Sequence, residues 1–159
     1  DIGSGDGRIA YCGKILGLNA YGIEIDNMLV DLQNYISKKT VIDFNPICSD
    51  AVTFDYDSLK LTEPAFFIGG LPQMGGDVLA SNIISNLNNN LKEKTCMVLT
   101  GSYSEKYSVN DTKDGGWRKL IDDTGLKIIQ SNSLPTVWSF DQTVDTSYIF
   151  TEFPSEIDW

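Results

Sequence analysis

Apolar positions along this chain follow two alternating patterns, one with helical spacing and one concentrated in short runs. Between residues 7 and 17, Ile9, Cys12 and Leu16 recur at a spacing that is typical of one face of a helix. The run at 20–25 is mostly apolar and ends in carboxylates, as expected for a strand. Together the two patterns predict helices at 7–17, 27–39, 75–92 and 117–124, and strands at 20–25, 44–48, 65–68, 95–100, 126–130 and 147–153.

The order of these elements predicts an α/β fold. Strands alternate with helices, which implies a doubly wound, mostly parallel sheet that is covered on both faces. The last two strands have no helix between them, so we expect an antiparallel hairpin at the C-terminal edge of the sheet. The polar segment 131–146, which contains Pro135 and Trp138, is predicted to be a long connection between them. With 159 residues, 42% of them hydrophobic, the chain is predicted to form one domain, 1–159.

Two short segments near the beginning of the chain together predict a pocket for an adenosine-containing cofactor. The first is Asp1-Ile2-Gly3-Ser4-Gly5-Asp6-Gly7-Arg8, in which alternate glycines allow a sharp turn and a close approach of the backbone to a ligand. The second is Gly22-Ile23-Glu24-Ile25-Asp26, where a carboxylate at the end of a strand can meet ribose hydroxyls. Nicotinamide-binding domains usually carry G-x-G-x-x-G, whereas the third glycine here comes one residue earlier and an aspartate leads the motif. A nicotinamide-binding domain stays the alternative.

These two motifs resemble those of the class I S-adenosylmethionine (SAM) dependent methyltransferases. Residues 1–8 and Leu71-Pro72 most resemble archaeal and mitochondrial protein-lysine methyltransferases. Residues 50–54 more weakly resemble the rRNA adenine dimethyltransferases, which carry Asn and Tyr where this chain has Gly70 and Gln73. The resemblance implies a Rossmann-like fold and SAM as the cofactor. It also places Asp1 at the end of a first strand, so we expect that strand to lie upstream of this sequence.

The resemblance also implies a role for individual residues. Asp1 would orient the methionine ammonium of SAM, Glu24 would accept the ribose hydroxyls, and Asp50 would accept the adenine amino group. The full set of expected cofactor-binding residues is Asp1, Gly3, Gly5, Gly7, Glu24, Ile25, Asp50, Ala51 and Gly69. For catalysis, the candidates are Gln73 to orient the acceptor and Tyr103 or Asp141 to handle its proton. Met28 and Phe54 are further candidates, with Ile25, to flank the adenine ring.

Composition narrows the possible chemistry and partners. The chain has no histidine, which excludes Ser-His-Asp and histidine-dependent zinc chemistry from these residues, and no metal is expected. Its three cysteines, Cys12, Cys48 and Cys96, are predicted to be reduced core residues of a cytoplasmic protein. No apolar run approaches the roughly 18 residues of a membrane helix, so no membrane partner is expected.

Net charge indicates the class of acceptor. The chain carries a net charge of −10, and many of its acidic residues lie near the predicted binding edge of the sheet. Such a field repels a polyanion and attracts a cation, so a nucleic acid is the less favoured partner. We therefore expect methyl transfer to a nitrogen, with a protein lysine slightly favoured over RNA or a small molecule. A SAM-binding domain without catalysis is a further alternative, because Gly69-Gly70 replaces a polar motif. The residues that could form a local basic patch are Arg8, Lys106, Lys113, Arg118 and Lys119.

Overall fold

The computed structural model describes residues 1–104, 115–139 and 142–154. Within it the chain divides into two compact units, residues 1–56 and residues 57–159. Each unit has strands and helices of its own. That the whole chain is one domain, as the sequence predicts, stays a prediction.

The first unit contains two parallel strands and two helices. Strand β1 is Gly22–Glu24 and strand β2 is Pro46–Cys48, and they pair in parallel. Helix α1 spans Arg8–Ile15 and helix α2 spans Asn27–Thr40. Ile2 forms a parallel bridge to Ile23, so the glycine-rich segment that follows it begins beside the central part of β1.

Helix α2 begins where the sequence predicts. The Asp26 side chain caps it by accepting a hydrogen bond of 2.8 Å from the Met28 amide, and Lys38 and Lys39 occupy its last turn, where cations complement the helix dipole. Strand β2 is shorter than predicted because Asn45 adopts a left-handed conformation with φ 52° just before Pro46. Phe44 is nevertheless fully buried and belongs to the core of the unit.

The second unit is built on four strands in the order β3-β4-β6-β5. Strand β3 is Ala65–Ile68, β4 is Cys96–Thr100, β5 is Lys127–Ser139 and β6 is Gln142–Glu152. β3 and β4 are parallel, whereas β6 is antiparallel to both β4 and β5. This confirms the α/β fold and the antiparallel C-terminal hairpin, and the described strands form both parallel and antiparallel pairs. The helices are α3, Gly76–Asn86; α4, Asn89–Lys92; and α5, Arg118–Thr124.

The C-terminal hairpin is much longer than the sequence predicts. Residues 131–139 continue β5 and pair with β6, so the expected long connection at 131–146 is wrong. The polar composition of this segment is typical of a loop. Beyond the end of β4, however, β5 and β6 continue as a two-stranded ribbon, which can expose polar side chains on its faces. Pro135 fits because β5 is an edge strand, where a missing amide donor is tolerated.

Two smaller expectations are also wrong. The single helix predicted at 75–92 is interrupted at Leu87, and Asn88 then caps α4 by accepting from the Leu91 amide at 2.8 Å. The cysteines are free but do not belong to the core: Cys12 and Cys48 are exposed and Cys96 is half-buried. Their apolar neighbours in sequence suggested burial, but the side chain of Cys48, for example, contacts Asn27 Oδ1 at 2.8 Å in an exposed position. Across the described ranges, no helix is long and apolar enough to cross a membrane.

Candidate functional site

The glycine turn at residues 3–7 forms an open cradle. Gly3 and Gly5 have φ values of 63° and 56°, a left-handed conformation that side chains with a Cβ rarely adopt. A Cβ placed on either glycine would point into open space, since no described atom lies within 4 Å of it. The backbone here is therefore both strained for other residues and accessible to a ligand.

Gly7 has a different environment from the other two glycines of the turn. A Cβ at this position would lie 2.6 Å from the Phe44 ring and 2.9 Å from Cγ of Gln33. Its amide donates to the Ser4 carbonyl at 2.8 Å, which closes the turn. Packing within the first unit thus gives a sufficient reason for glycine at position 7, and its expected contact with the cofactor stays a prediction.

Glu24 is buried and its carboxylate is surrounded by backbone donors. Oε2 accepts from the Gly5 amide at 2.8 Å, and Oε1 accepts from the amides of Ile25 and Asp26 at 2.9 and 3.0 Å. One carboxylate therefore connects the glycine turn to the end of β1. A carboxylate offers about four acceptor positions, so after three amides Oε2 retains capacity for one further donor, such as a ribose hydroxyl.

Gln33 is a residue of this site that the sequence analysis missed. It lies in α2, is fully buried, and its Nε2 donates to Ser4 Oγ at 3.0 Å and to the Gly5 carbonyl at 2.8 Å. It belongs to no sequence motif, and a glutamine within a helix usually faces solvent, so its burial is not expected from the sequence. Its position in the turn of α2 that also presents the buried Val30 was the only available signal.

Asp1 supplies the observation that tests whether SAM fits this cradle. Its Oδ2 is buried and has no hydrogen-bond partner among the described residues. A buried carboxylate oxygen without a donor costs free energy, so a bound cation or amide would relieve it. An ammonium group, as in the methionine part of SAM, has the required charge and donors. The residues present therefore fit the cofactor that the sequence predicts.

The turn after β2 holds Asp50 and Ala51 in a defined geometry. Asp50 Oδ1 accepts from the Val52 amide at 2.9 Å, while the Tyr56 hydroxyl donates to the Ala51 carbonyl at 2.6 Å. Burial and the nearby Asp50 charge raise the pKa of Tyr56, so its hydroxyl stays a neutral donor. Asp50 is exposed at the surface of this turn. Its expected contact with an adenine amino group stays a prediction.

Apolar side chains near the end of β1 are open to solvent. Ile25 is 67% exposed and Met28 is 80% exposed, whereas Phe54 packs edge-on against Tyr56 with ring centroids 5.2 Å apart. Large apolar side chains this exposed have unmet packing capacity. Of the three residues proposed to flank an adenine ring, Ile25 and Met28 are free to do so and Phe54 already has an aromatic partner.

In the second unit, the turn after β3 is built from backbone contacts. Gly69 and Gly70 lead into a short 3₁₀ helix at Pro72–Met74, and the Gly76 amide donates to the Leu71 carbonyl at 3.0 Å. A Cβ on Gly76 would overlap the Gly70 carbonyl group, whose carbon would lie 2.6 Å away. Gln73 is exposed at the surface of this turn. Its predicted role in orienting an acceptor is untested.

Tyr103 follows β4 and is 37% exposed. Its hydroxyl donates to Asp122 Oδ1 at 3.3 Å, and its carbonyl accepts from the Arg118 amide at the start of α5. These contacts attach the residue to α5 and leave its predicted proton-handling role untested. Asp141, the other candidate, lies outside the described residues.

Each residue of the predicted basic patch that the structure describes forms an ion pair with a carboxylate. Arg8 forms a salt bridge with Asp6, Arg118 pairs with Asp122 at 3.6 Å, and Lys119 pairs with Asp123. Lys106 and Lys113 lie outside the described residues. The three described members of the predicted patch, Arg8, Arg118 and Lys119, are therefore each paired with a neighbouring carboxylate.

Comparisons with known proteins place the fold. No family model matches the sequence, and no curated protein matches it. A SAM-dependent methyltransferase from Methanosarcina mazei is similar in structure with a TM-score of 0.66 and 12% identity, covering 96% of this chain and 90% of that one. Magnesium protoporphyrin IX methyltransferase from Synechocystis PCC 6803, with bound SAM, has a TM-score of 0.62 and 13% identity, covering 97% and 68%.

A third similar structure is the tRNA (uracil-54, C5)-methyltransferase from Pyrococcus abyssi in complex with S-adenosyl-L-homocysteine (SAH). Its TM-score is 0.65 with 12% identity, covering 95% of this chain and 32% of that one. At such low identity these similarities show the fold alone. The chain has the Rossmann-like α/β fold found in SAM-dependent methyltransferases.

Proposed function

We propose that this protein is a SAM-dependent methyltransferase. The observation that carries the proposal is the cradle of the first unit. It combines two open left-handed glycines, a buried carboxylate oxygen of Asp1 to which no described residue donates, and Glu24, which anchors the turn. The fold supports it, because two of the similar structures were determined with SAM or SAH bound.

Each residue of the cradle has a distinct task in this proposal. Bound SAM supplies a sulfonium methyl group that a nucleophile can accept. Asp1 holds the ammonium of the cofactor, and the remaining lone pair of Glu24 Oε2 accepts a ribose hydroxyl. Asp50 and the exposed Ile25 and Met28 hold the adenine. The protein contributes mainly alignment, because the electrophile is already activated.

For the acceptor, we propose a nitrogen, and a protein lysine ahead of RNA or a small molecule. The net charge of −10 favours a cationic acceptor over a polyanion. The ion pairs of Arg8, Arg118 and Lys119 support the same choice, because phosphate binding needs available cations. The similar structures include enzymes for a porphyrin and a tRNA, so fold alone does not select the acceptor.

A second candidate function is SAM binding without catalysis. The turn after β3 favours it, since Gly70 is in close backbone contact with Gly76 and Gln73 is the one amide side chain in residues 69–76. A site of this composition has few groups to orient a nucleophile. Gln73 and Tyr103 are the residues we propose for that task if the protein is an enzyme.

Calorimetric titration with SAM, SAH and NAD tests the cofactor. We expect SAM and SAH to bind and NAD not to bind. A ligand at a hundredfold excess over its Kd stabilises a protein by about 2.7 kcal/mol, so thermal unfolding gives an independent measurement. Glu24→Ala should abolish binding, with Glu93→Ala, in the short turn after α4, as a charge-matched control. Binding of NAD alone would replace the methyltransferase proposal with the nicotinamide alternative.

Transfer of a tritiated methyl group from SAM to a cell lysate tests catalysis and the acceptor class. A protein-lysine methyltransferase should give label that protease removes and RNase does not. Label that only RNase removes would overturn the lysine preference, and label that passes through a small-pore filter would indicate a small-molecule acceptor. SAM binding with no transfer to any fraction would favour the non-catalytic function.

A further inference from the structure

Gln33 is an unusual residue for the interior of α2. It is fully buried, and its Oε1 has no hydrogen-bond partner among the described residues. An orphaned carbonyl of this kind lowers stability, so an apolar side chain of the same size would suit a purely structural position better. The glutamine at this position is therefore explained by its Nε2 group, which can donate hydrogen bonds.

The Nε2 group donates to the glycine turn at two points. It reaches Ser4 Oγ at 3.0 Å and the Gly5 carbonyl oxygen at 2.8 Å. The amide orientation follows from the second contact, since a carbonyl can only accept. Two neighbouring residues of the turn thus share one buried donor from α2.

Gly5 is consequently held from two sides. Its amide donates to Glu24 Oε2 at 2.8 Å, from the end of β1, and its carbonyl accepts from Gln33. With both of its polar backbone groups engaged, the Gly5 residue cannot rotate without losing a hydrogen bond to a buried side chain. This arrangement keeps the Cα of Gly5 facing open space.

Packing around Gln33 leaves it little freedom to move. A Cβ on Gly22 would lie 3.0 Å from Oε1 of Gln33, and a Cβ on Gly7 would lie 2.9 Å from its Cγ. A larger residue at either glycine would therefore collide with the Gln33 side chain. Gln33 is therefore closely packed against Gly22 and against Gly7, the last residue of the glycine turn.

We propose that Gln33 is a positioning residue that sets the affinity of the glycine turn for the cofactor. Its Nε2 holds Ser4 and Gly5 in the conformation that keeps the Gly3 and Gly5 faces accessible. The inference rests on the proposed function, because the cofactor is the ligand whose affinity it concerns. Gln33 itself does not need to touch that ligand.

The test compares Gln33→Met with Val30→Ala in the full chain. Methionine has a similar volume to glutamine but no hydrogen-bond donor. Val30 is a buried residue of the same helix whose side chain has no group that could donate to the glycine turn. For each variant, SAH affinity is measured by calorimetry, stability by urea unfolding, and amide hydrogen exchange at residues 3–7 by NMR.

We expect Gln33→Met to raise the Kd for SAH at least tenfold and to accelerate exchange at residues 3–7, with Val30→Ala within twofold of the wild type in both. A Gln33→Met protein that binds SAH within twofold of the wild type overturns the inference and leaves the proposed function intact. So does an equal loss of affinity in Val30→Ala at equal stability. A wild-type protein that binds neither SAM nor SAH overturns the proposed function, and this inference with it.

Should Gln33→Met not fold, Ser4→Ala carries the test. It removes one of the two acceptors and leaves the Gly5 contact in place, so we expect about a threefold rise in the Kd for SAH. An unchanged Kd in that variant would then overturn the inference.

Discussion

Two glycine-rich turns of this protein look alike in sequence and are built in opposite ways. In the turn at residues 3–7, side chains from β1 and α2 hold the backbone, and the Cα atoms of Gly3 and Gly5 face open space. In the turn at 69–76, main-chain hydrogen bonds hold the backbone, and Gly76 lies directly against the Gly70 carbonyl.

The difference separates two reasons for glycine. Where a Cβ would meet nothing, glycine provides the left-handed backbone and leaves room for a ligand; where a Cβ would meet another backbone, glycine allows close packing. Substitutions at Gly3 and Gly5 should therefore mainly affect binding, whereas substitutions at Gly7 and Gly76 should mainly affect stability. The four predictions below test this contrast and the interactions around it.

Gly76→Ala should have the largest effect on stability. The new methyl group would overlap the Gly70 carbonyl and lie 2.9 Å from the Leu71 carbonyl oxygen, and neither backbone group can move aside as a flexible side chain could. We expect a loss of more than ~3 kcal/mol in the free energy of unfolding, measured by urea denaturation. Gly75→Ala is the matched control, because no atom of the described residues lies within 4 Å of its added Cβ and only the φ of 90° should cost stability, about 1 kcal/mol. Similar losses in the two variants would contradict the packing argument.

Gly7→Ala and Gly3→Ala should separate packing from binding within the first turn. At Gly7 the methyl group would lie 2.6 Å from the Phe44 ring and the φ of 80° adds backbone strain, so we expect a stability loss of about 3 kcal/mol. At Gly3 the methyl group has space, so only backbone strain of about 1 kcal/mol is expected. Because that space is the proposed cofactor position, Gly3→Ala should nevertheless raise the Kd for SAH at least tenfold. Calorimetry and urea unfolding measure the two effects, and unimpaired SAH binding by Gly3→Ala would place the ligand elsewhere.

Sequence patterns predicted most of the fold because local rules decide it. Strand β3 was predicted at its observed bounds, and α2 begins at Asn27, the first residue of the helix predicted at 27–39. The long β5–β6 hairpin was missed because cross-strand pairing, which is not local in sequence, keeps polar residues such as Asn132 and Thr146 in strands.

The candidate site was predictable only in part, for a similar reason. Gly3, Gly5 and Glu24 belong to a short motif, and the structure brings the amide of Gly5 and the carboxylate of Glu24 together. Gln33 belongs to no motif, and its importance depends on a contact between α2 and the turn that sequence spacing does not encode. Nor does spacing distinguish Gly7, which packs against Phe44, from glycines that face open space.

Tyr56→Phe should have a moderate effect on the turn after β2. The hydroxyl donates to the buried Ala51 carbonyl at 2.6 Å, and its removal leaves that acceptor without this donor. We expect a stability loss of about 1 kcal/mol by urea unfolding. Burial raises the pKa of Tyr56, so we expect its phenol to ionise at a higher pH than a solvent-exposed tyrosine would. Ultraviolet difference titration of the wild type against Tyr56→Phe measures this, and a Tyr56 that ionises at the ordinary pKa of tyrosine would show that its burial does not persist in solution.

Arg8→Gln should have the smallest effect on the free energy of unfolding, and the size of that effect should depend on pH. The Arg8 guanidinium donates to Asp6 and holds the pKa of that carboxyl below its usual value of 3.8. Because the folded state lowers this pKa, the stabilisation is present above the unfolded pKa and is lost as pH falls through the folded one. The side chains of Arg8 and Asp6 are 67% and 38% exposed, so solvent screens the pair and its contribution should not exceed about 0.5 kcal/mol. Urea unfolding of Arg8→Gln between about pH 6 and pH 2 should therefore converge with the wild type at the acid end. Arg118→Gln makes the same change of charge at a longer ion pair of 3.6 Å, and an equal pH-dependent difference in that variant would show that net charge, not the Asp6 contact, is responsible.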